Sequence, residues 1–166
     1  MSRVTDLAAQ LGRALQQQSA QVSTAESCTG GGIAEAITRV AGSSAWFEAG
    51  FVTYSNAQKT RQLQVPASLF AEVGAVSREV VEAMVRGAQQ ASGAQYAVAV
   101  SGVAGPGGGS PEKPVGTVWL AWASGKERFA KRFNFDGNRQ AIREQSIEAA
   151  LVGLIRLAAG ENPLED

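Results

Sequence analysis

The stretch "QYAVAVSGVAG", Gln95 to Gly105, is the strongest constraint on how this chain folds. It is apolar almost without interruption and lacks the alternation of a strand with one wet face. Such a run belongs to a central strand covered on both faces, which requires helices above and below the sheet. The rest of the sequence supplies them. Val4, Leu7, Ala8, Leu11 and Leu15 recur at helical spacing, as do Ile33, Ala36, Ile37 and Val40, and then Val80, Val81, Met84, Val85 and Ala88. A last helix starts near Arg139 and gathers Ile147, Ala150, Leu151, Leu154, Ile155 and Ala158 on one face.

Between these helices, "QVSTAE" and "SSAWFEAGFVTY" have the β-branched and aromatic content of strands, with Tyr54 closing the second. Further on, "VGTVWLAWAS" and "ERFAKRFNF" read as a hairpin turning through "SGK". Strands interleaved with helices, then a hairpin and a closing helix, predict an α/β fold: a single three-layer α/β/α domain over residues 1–166 with a mixed sheet. There is no internal repeat and no linker. Ser55 with Gln58 has the spacing of a capping box, and Ser77 is placed to cap the next long helix. Thr5 or Asp6 would cap the first helix and Asp136 the last, while the tail "GENPLED", residues 160–166, is expected to be mobile.

Fifteen basic and fifteen acidic residues cancel, so no sequence-wide positive field attracts nucleic acid or an anionic membrane, and any anion is held locally. No apolar run approaches the ~20 residues that span a bilayer, and no signal peptide is evident. One cysteine cannot form an internal disulfide, and the cytoplasm is the expected compartment. A chain with no histidine and a lone cysteine has none of the common zinc ligand sets, and no carboxylate cluster stands out for a harder ion, so no metal and no cofactor is expected. Trp46 or Phe47, if exposed, would suit a symmetric homodimer.

Chemistry concentrates in "TAESCTGGG", Thr24 to Gly32, at a strand-to-helix turn. Ser27 and Cys28 are both nucleophile candidates, and the usual base, histidine, is missing. Lys59 is the best placed substitute. A lysine of pKa ~10.4 is neutral in about 0.04% of molecules at pH 7, so a lysine base needs its ammonium form destabilised by about 4 kcal/mol. The start of a helix capped by Ser55 supplies about 0.3–1 kcal/mol, so burial among neighbours such as Phe51, Val52 and Leu63 has to supply the rest. The plain alternatives are a solvated helix lysine and a turn-forming serine. Cys28 is the weaker nucleophile, since a thiolate needs a cationic partner. Glu26 reads equally as a cap or a site acid, and Gly30 to Gly32 suit an oxyanion hole, a phosphate or tight strand-to-helix packing. Arg139 and Arg143 could grip a carboxylate or phosphate. The loop "GVAGPGGGS" lacks both the Walker lysine and the dinucleotide spacing.

Six ordered motifs, "TAESCTGG", "AGSSAWFEAGFVTYSNAQK", "GAVS", "SGVAGPGGG", "KPVGTV" and "GNRQAIR", together resemble the C-terminal domain of the competence/damage-inducible protein CinA and its stand-alone relatives, the nicotinamide mononucleotide deamidases. The resemblance covers roughly residues 5 to 158. It implies hydrolysis of the carboxamide of nicotinamide mononucleotide to nicotinic acid mononucleotide and ammonia, in pyridine nucleotide recycling, by a serine amidohydrolase with a Ser/Lys pair. Carried across by position, Ser27 is the nucleophile, Lys59 its base and Tyr54 a supporting residue. Amides near Thr29, Gly30 and Gly31 would steady the oxyanion. The implied partner is a small pyridine mononucleotide. Ser101, Gly102, Gly105 and Gly108 of the glycine-rich loop, with Lys113, Thr117 and Arg139, are expected around its phosphate or ribose. The first helix begins the chain, so any metal-dependent activity of the N-terminal domain of full-length CinA is not expected. The alternatives are a module that binds a nucleotide without turnover, and a thiol hydrolase built on Cys28.

Overall fold

A computed structural model describes residues 2–165. The chain runs α1 (Arg3–Gln18), β1 (Val22–Glu26), α2 (Gly32–Thr38), a 3₁₀ turn at Ser43–Ala45, and β2 (Phe47–Val52). It continues through α3 (Asn56–Leu63), α4 (Ser68–Glu72), α5 (Arg78–Ser92), β3 (Tyr96–Gly102), β4 (Thr117–Ser124), β5 (Glu127–Asn134) and α6 (Arg139–Ala158). The sheet order is β2-β1-β3-β4-β5, with β1 parallel to both its neighbours and β4 antiparallel to β3 and β5. This is the mixed α/β/α sandwich that the apolar run at Gln95 to Gly105 demands.

Alternation within the buried strands divides the core. Val98, Val100, Val118, Leu120 and Trp122 pack with α1, α2 and α6, whereas Ala97, Ala99, Ala121 and Ala123 face α5. A sheet face of alanines lets α5 lie close, and Val80, Val81, Met84 and Val85 fill the gap. Gly87 extends this closeness to α3: a Cβ there would come within 2.0 Å of the Leu63 carbonyl oxygen. The last residue of α3 is therefore seated directly on α5. That contact fixes the helix carrying Lys59.

Chain direction determines where a site can form. From β1 the chain crosses to β2 on one side, and after β2 it returns past β1 to β3 on the other. Outside the carboxyl ends of such diverging parallel strands lies the crevice where α/β sheets place their ligands. The turn after β1, the turn after β2 and the glycine-rich loop after β3 all open there.

Several local expectations are revised. Trp46 is buried, its ring lying where a Cβ on Gly12 would stand, so it contributes to the core and not to a dimer patch; Phe47 is half-buried against the same cluster. Ser2, not Thr5 or Asp6, caps α1, and Asn138, not Asp136, caps α6. In both cases a nearer polar side chain reaches the first free backbone N–H groups. Beyond α6 the tail folds back, with Pro163 buried and Leu164 against the core, while Asp166 lies outside the described residues. The strand closed by Tyr54 stops at Val52, and the short α4 has no counterpart among the sequence expectations. Among the described residues no helix is long and apolar enough to cross a membrane.

Gly87→Ala is expected to lower stability by about 1–3 kcal/mol through overpacking against Leu63. Urea unfolding midpoints check this, and an unchanged midpoint would mean that α3 can shift freely on α5.

Candidate active site

Ser27 extends the β1 ladder by one step, its N–H donating to the Val100 carbonyl at 3.1 Å, and is 8% exposed at the cleft floor. The chain then turns into α2 through Gly30 and Gly31, with φ of 61° and 103°, a left-handed path that L side chains resist. Two charged side chains hold the turn. The fully buried Glu26 accepts from the Thr29 hydroxyl at 2.6 Å and from the Ile33 and Ala34 N–H groups at 2.8 and 3.0 Å. Arg143 reaches in from α6, donating to the Cys28 and Thr29 carbonyls at 3.1 and 3.0 Å. Of its two expected readings Glu26 takes the cap, as acceptor for the start of α2, and not that of a substrate ligand, while Arg143, expected to grip an anion, is a backbone clamp.

Lys59 sits on the first turns of α3, where Ser55 accepts from the Gln58 N–H at 3.2 Å. The side chain is only 1% exposed, and its Nζ donates to Ser27 Oγ and to the Tyr54 carbonyl, each at 3.0 Å. The Ser27 hydroxyl also lies 3.4 Å from that carbonyl, so amine, hydroxyl and peptide oxygen form a closed triangle. Among the described residues no carboxylate forms an ion pair with Lys59. Burial lowers its pKa below the ordinary lysine value, and Cys28 acts in the opposite direction. Burial likewise pushes the Cys28 thiol up to about 11. A thiol so placed stays protonated near neutral pH, which removes the basis for a thiolate nucleophile.

The triangle opens into a cleft of about 310 Å³. Ser27, Tyr54 and Lys59 line it, together with Ser101, Gly102, Gly105, Gly108 and Arg139. Arg139 ties two sides of the rim, donating to the Gly105 carbonyl at 2.7 Å and the Tyr54 hydroxyl at 3.1 Å. The remaining expected residues lie elsewhere. Thr29, Gly30 and Gly31 build the turn behind Ser27 and do not line the cleft. Thr117 is buried and donates to the Pro114 carbonyl at 2.7 Å, and Lys113 Nζ donates to the Val73 carbonyl at 2.5 Å. Asn56, Ala75 and Val76 escaped the sequence reading, and within the glycine-rich loop Val103, Ala104 and Gly107 line the cleft beside the residues named there. Asn56 stands three residues before Lys59 on the same helix, a spacing that could have found it. A larger groove of about 450 Å³ runs beside α5 but contains no nucleophile and no buried amine.

A serine hydrogen-bonded to a buried, carboxylate-free lysine at the switch point of a mixed sheet has the make-up of a serine hydrolase centre. The chain belongs to the CinA C-terminal domain family, whose model matches residues 4–158. It is 71% identical over 157 residues to the nicotinamide-nucleotide amidohydrolase PncC of Pseudomonas putida, covering 95% of this chain and 98% of that protein. With the Escherichia coli K12 protein of the same name it shares 52% identity over 151 residues, 90% of this chain and 92% of the other. A crystal structure of a competence/damage inducible protein from Agrobacterium tumefaciens superposes with a TM-score of 0.92 at 43% identity, covering 95% of this chain and 96% of that one.

Lys59→Met is expected to raise Tm by about 2–6 °C near neutral pH. The sign follows from proton counting. The folded pKa is depressed, so between the folded and unfolded values the unfolded chain binds more protons, and wild-type stability rises with pH across that interval. The advantage of the methionine variant should therefore shrink toward pH 10, which thermal melts across pH check. A variant no more stable than wild type at pH 7 would show that the amine is not penalised by burial.

Proposed function

We propose that this chain is a nicotinamide-nucleotide amidohydrolase, converting nicotinamide mononucleotide and water to nicotinic acid mononucleotide and ammonia through Ser27 and Lys59, as a step of cytoplasmic pyridine nucleotide recycling. One observation carries the mechanism: the buried Lys59 amine lies 3.0 Å from Ser27 Oγ with no carboxylate paired to it among the described residues. The substrate is supported by the name shared by relatives that match nearly their whole length at 71% and 52% identity.

In this reading the neutral amine keeps one N–H on the Tyr54 carbonyl and turns its lone pair to the Ser27 hydroxyl. Ser27 Oγ attacks the carboxamide carbon while its proton passes to Lys59. The resulting ammonium then protonates the leaving nitrogen, the C–N bond breaks and ammonia departs, leaving an ester on Ser27. Water attacks that ester with Lys59 again as base. The C–O bond to Ser27 breaks, the proton returns to Ser27 Oγ, and the free acid leaves.

The developing oxyanion needs donors already in place. The Gly30 N–H is bound to the Ser27 carbonyl at 3.0 Å, as is the Gly32 N–H to the Thr29 carbonyl at 3.0 Å. The Cys28 and Thr29 N–H groups, by contrast, donate to no other described residue. Arg143 draws the Cys28 carbonyl toward α6, and in a trans peptide the Thr29 N–H then points the opposite way. Of the expected donors, the Gly30 N–H is occupied and the Thr29 N–H is kept, the Cys28 N–H is added, and the Gly31 N–H also donates to no other described residue.

Purified protein incubated with nicotinamide mononucleotide is expected to release ammonia and nicotinic acid mononucleotide in equal amounts. Ser27→Ala and Lys59→Ala should each lower kcat by about 10³-fold or more, with unchanged circular dichroism. Retention of ammonia release in either variant overturns the pair. Tight binding without product in the wild type would make this a nucleotide-binding module.

A further inference from the structure

We infer that Lys113, whose ammonium lies outside the cleft, is a positioning residue that fixes the wall against which the flat pyridine ring rests. The inference builds on the deamidase reading above. Ala75 and Val76, together with Val103 and Ala104, give the cleft its apolar lining, as a flat heteroaromatic ring requires. These residues come from two different segments. Ala75 and Val76 belong to the connection from α4 to α5, and Val103 and Ala104 to the loop from β3 to β4.

Each segment is braced on its own side. In the glycine-rich loop, Val103 and Thr117 or Gly116 close the stem through two backbone bonds of 2.8 Å. Farther out, Ser110 and Lys113 bind each other through the Ser110 N–H to the Lys113 carbonyl at 3.0 Å and the Lys113 N–H to Ser110 Oγ at 3.1 Å. Arg132 adds a bond to the Glu112 carbonyl at 2.9 Å. In the other segment, Val73 N–H donates to the Leu69 carbonyl at 2.9 Å, and Ser77, the cap of α5, donates to the Gly74 carbonyl at 2.8 Å. Ala75 and Val76, between these two anchors, make no backbone hydrogen bond to another described residue.

Lys113 is the tether between the two braced segments. Its Nζ donates to the Val73 carbonyl at 2.5 Å, and among the described residues this is the single hydrogen bond joining residues 73–77 to residues 103–116. The ammonium also lies 3.1 Å from where a Cβ on Gly74 would stand, and Gly74 has φ of 78°, so a glycine there leaves room for the amine to approach. A charged donor on a peptide oxygen forms a strong bond of fixed length. Because it touches the wall and not the reacting atoms, its loss weakens ground-state and transition-state binding alike.

Lys113→Met keeps the aliphatic stem and removes the donor. It is expected to raise KM by about 3- to 10-fold with kcat within about 2-fold of wild type. Lys113→Arg, which keeps charge and reach, should restore most of the loss. Hydrogen–deuterium exchange on the ligand-free proteins gives a readout without turnover: the amides of Val73 and Gly74, which donate to the Leu69 carbonyl at 2.9 and 3.1 Å, should exchange about 10-fold faster in Lys113→Met and near wild-type rates in Lys113→Arg. Unchanged exchange at Val73 and Gly74, or a fall in kcat at constant KM, overturns the inference. A wild type that releases no ammonia removes the substrate reading, and the exchange rates then decide the tether alone.

Discussion

The structure depends on an amine buried with no countercharge paired to it among the described residues. Lys59 is held by two hydrogen bonds of 3.0 Å, one to a hydroxyl and one to a peptide carbonyl, and neither partner carries a charge. Most buried lysines are paired with a carboxylate, which stabilises the ammonium and makes the nitrogen a poor base. Here burial shifts the amine toward its neutral form, and in the proposed mechanism that amine is the base for Ser27 in a chain that has no histidine. A neutral amine has a lone pair to offer. The same arrangement costs stability, which the rest of the fold has to offset.

That cost explains features far from the cleft. The alanine face of the sheet lets α5 lie close, and Gly87 lets the end of α3, the helix that carries Lys59, sit tightly on α5. On the opposite face, α6 serves two purposes. It covers the apolar side chains of β3 and β4, and from its first turns it sends Arg139 to the cleft rim and Arg143 to the nucleophile turn. Glu26 completes the turn from within by meeting the free N–H groups of α2. Ser27 therefore stands on a turn held from β1 by Glu26 and from α6 by Arg143, which under the proposed mechanism would preorganise its donors before substrate arrives.

Elements whose signal is local were legible in the sequence. The apolar run at Gln95 to Gly105, the four helical stripes, the hairpin and the Ser55 cap each depend on neighbours in the chain, and the structure reproduces them. Contacts between distant residues were not legible. Lys59 is surrounded by polar residues in "SNAQKTRQL", and its burial, like the contact of Leu63 with Gly87 on the same helix, is a tertiary feature that no periodicity reveals. Trp46 reads as a surface aromatic until Gly12 is seen beneath its ring. Arg143 and Lys113 read as anion ligands because guanidinium and ammonium groups bind anions, yet in the fold both meet peptide carbonyls. Ala75 and Val76 are chemically plain, and only the cleft gives them a role.

The most direct test of the account is the titration of Lys59 itself, followed by carbon-13 NMR of selectively labelled lysine Cε, with Lys59→Arg used to assign the resonance. The account predicts a Cε shift that titrates well below the ordinary lysine value of about 10.4, and that no other lysine resonance shares. A Lys59 resonance titrating with the surface lysines would contradict it, because an amine still charged at neutral pH cannot accept the proton of Ser27.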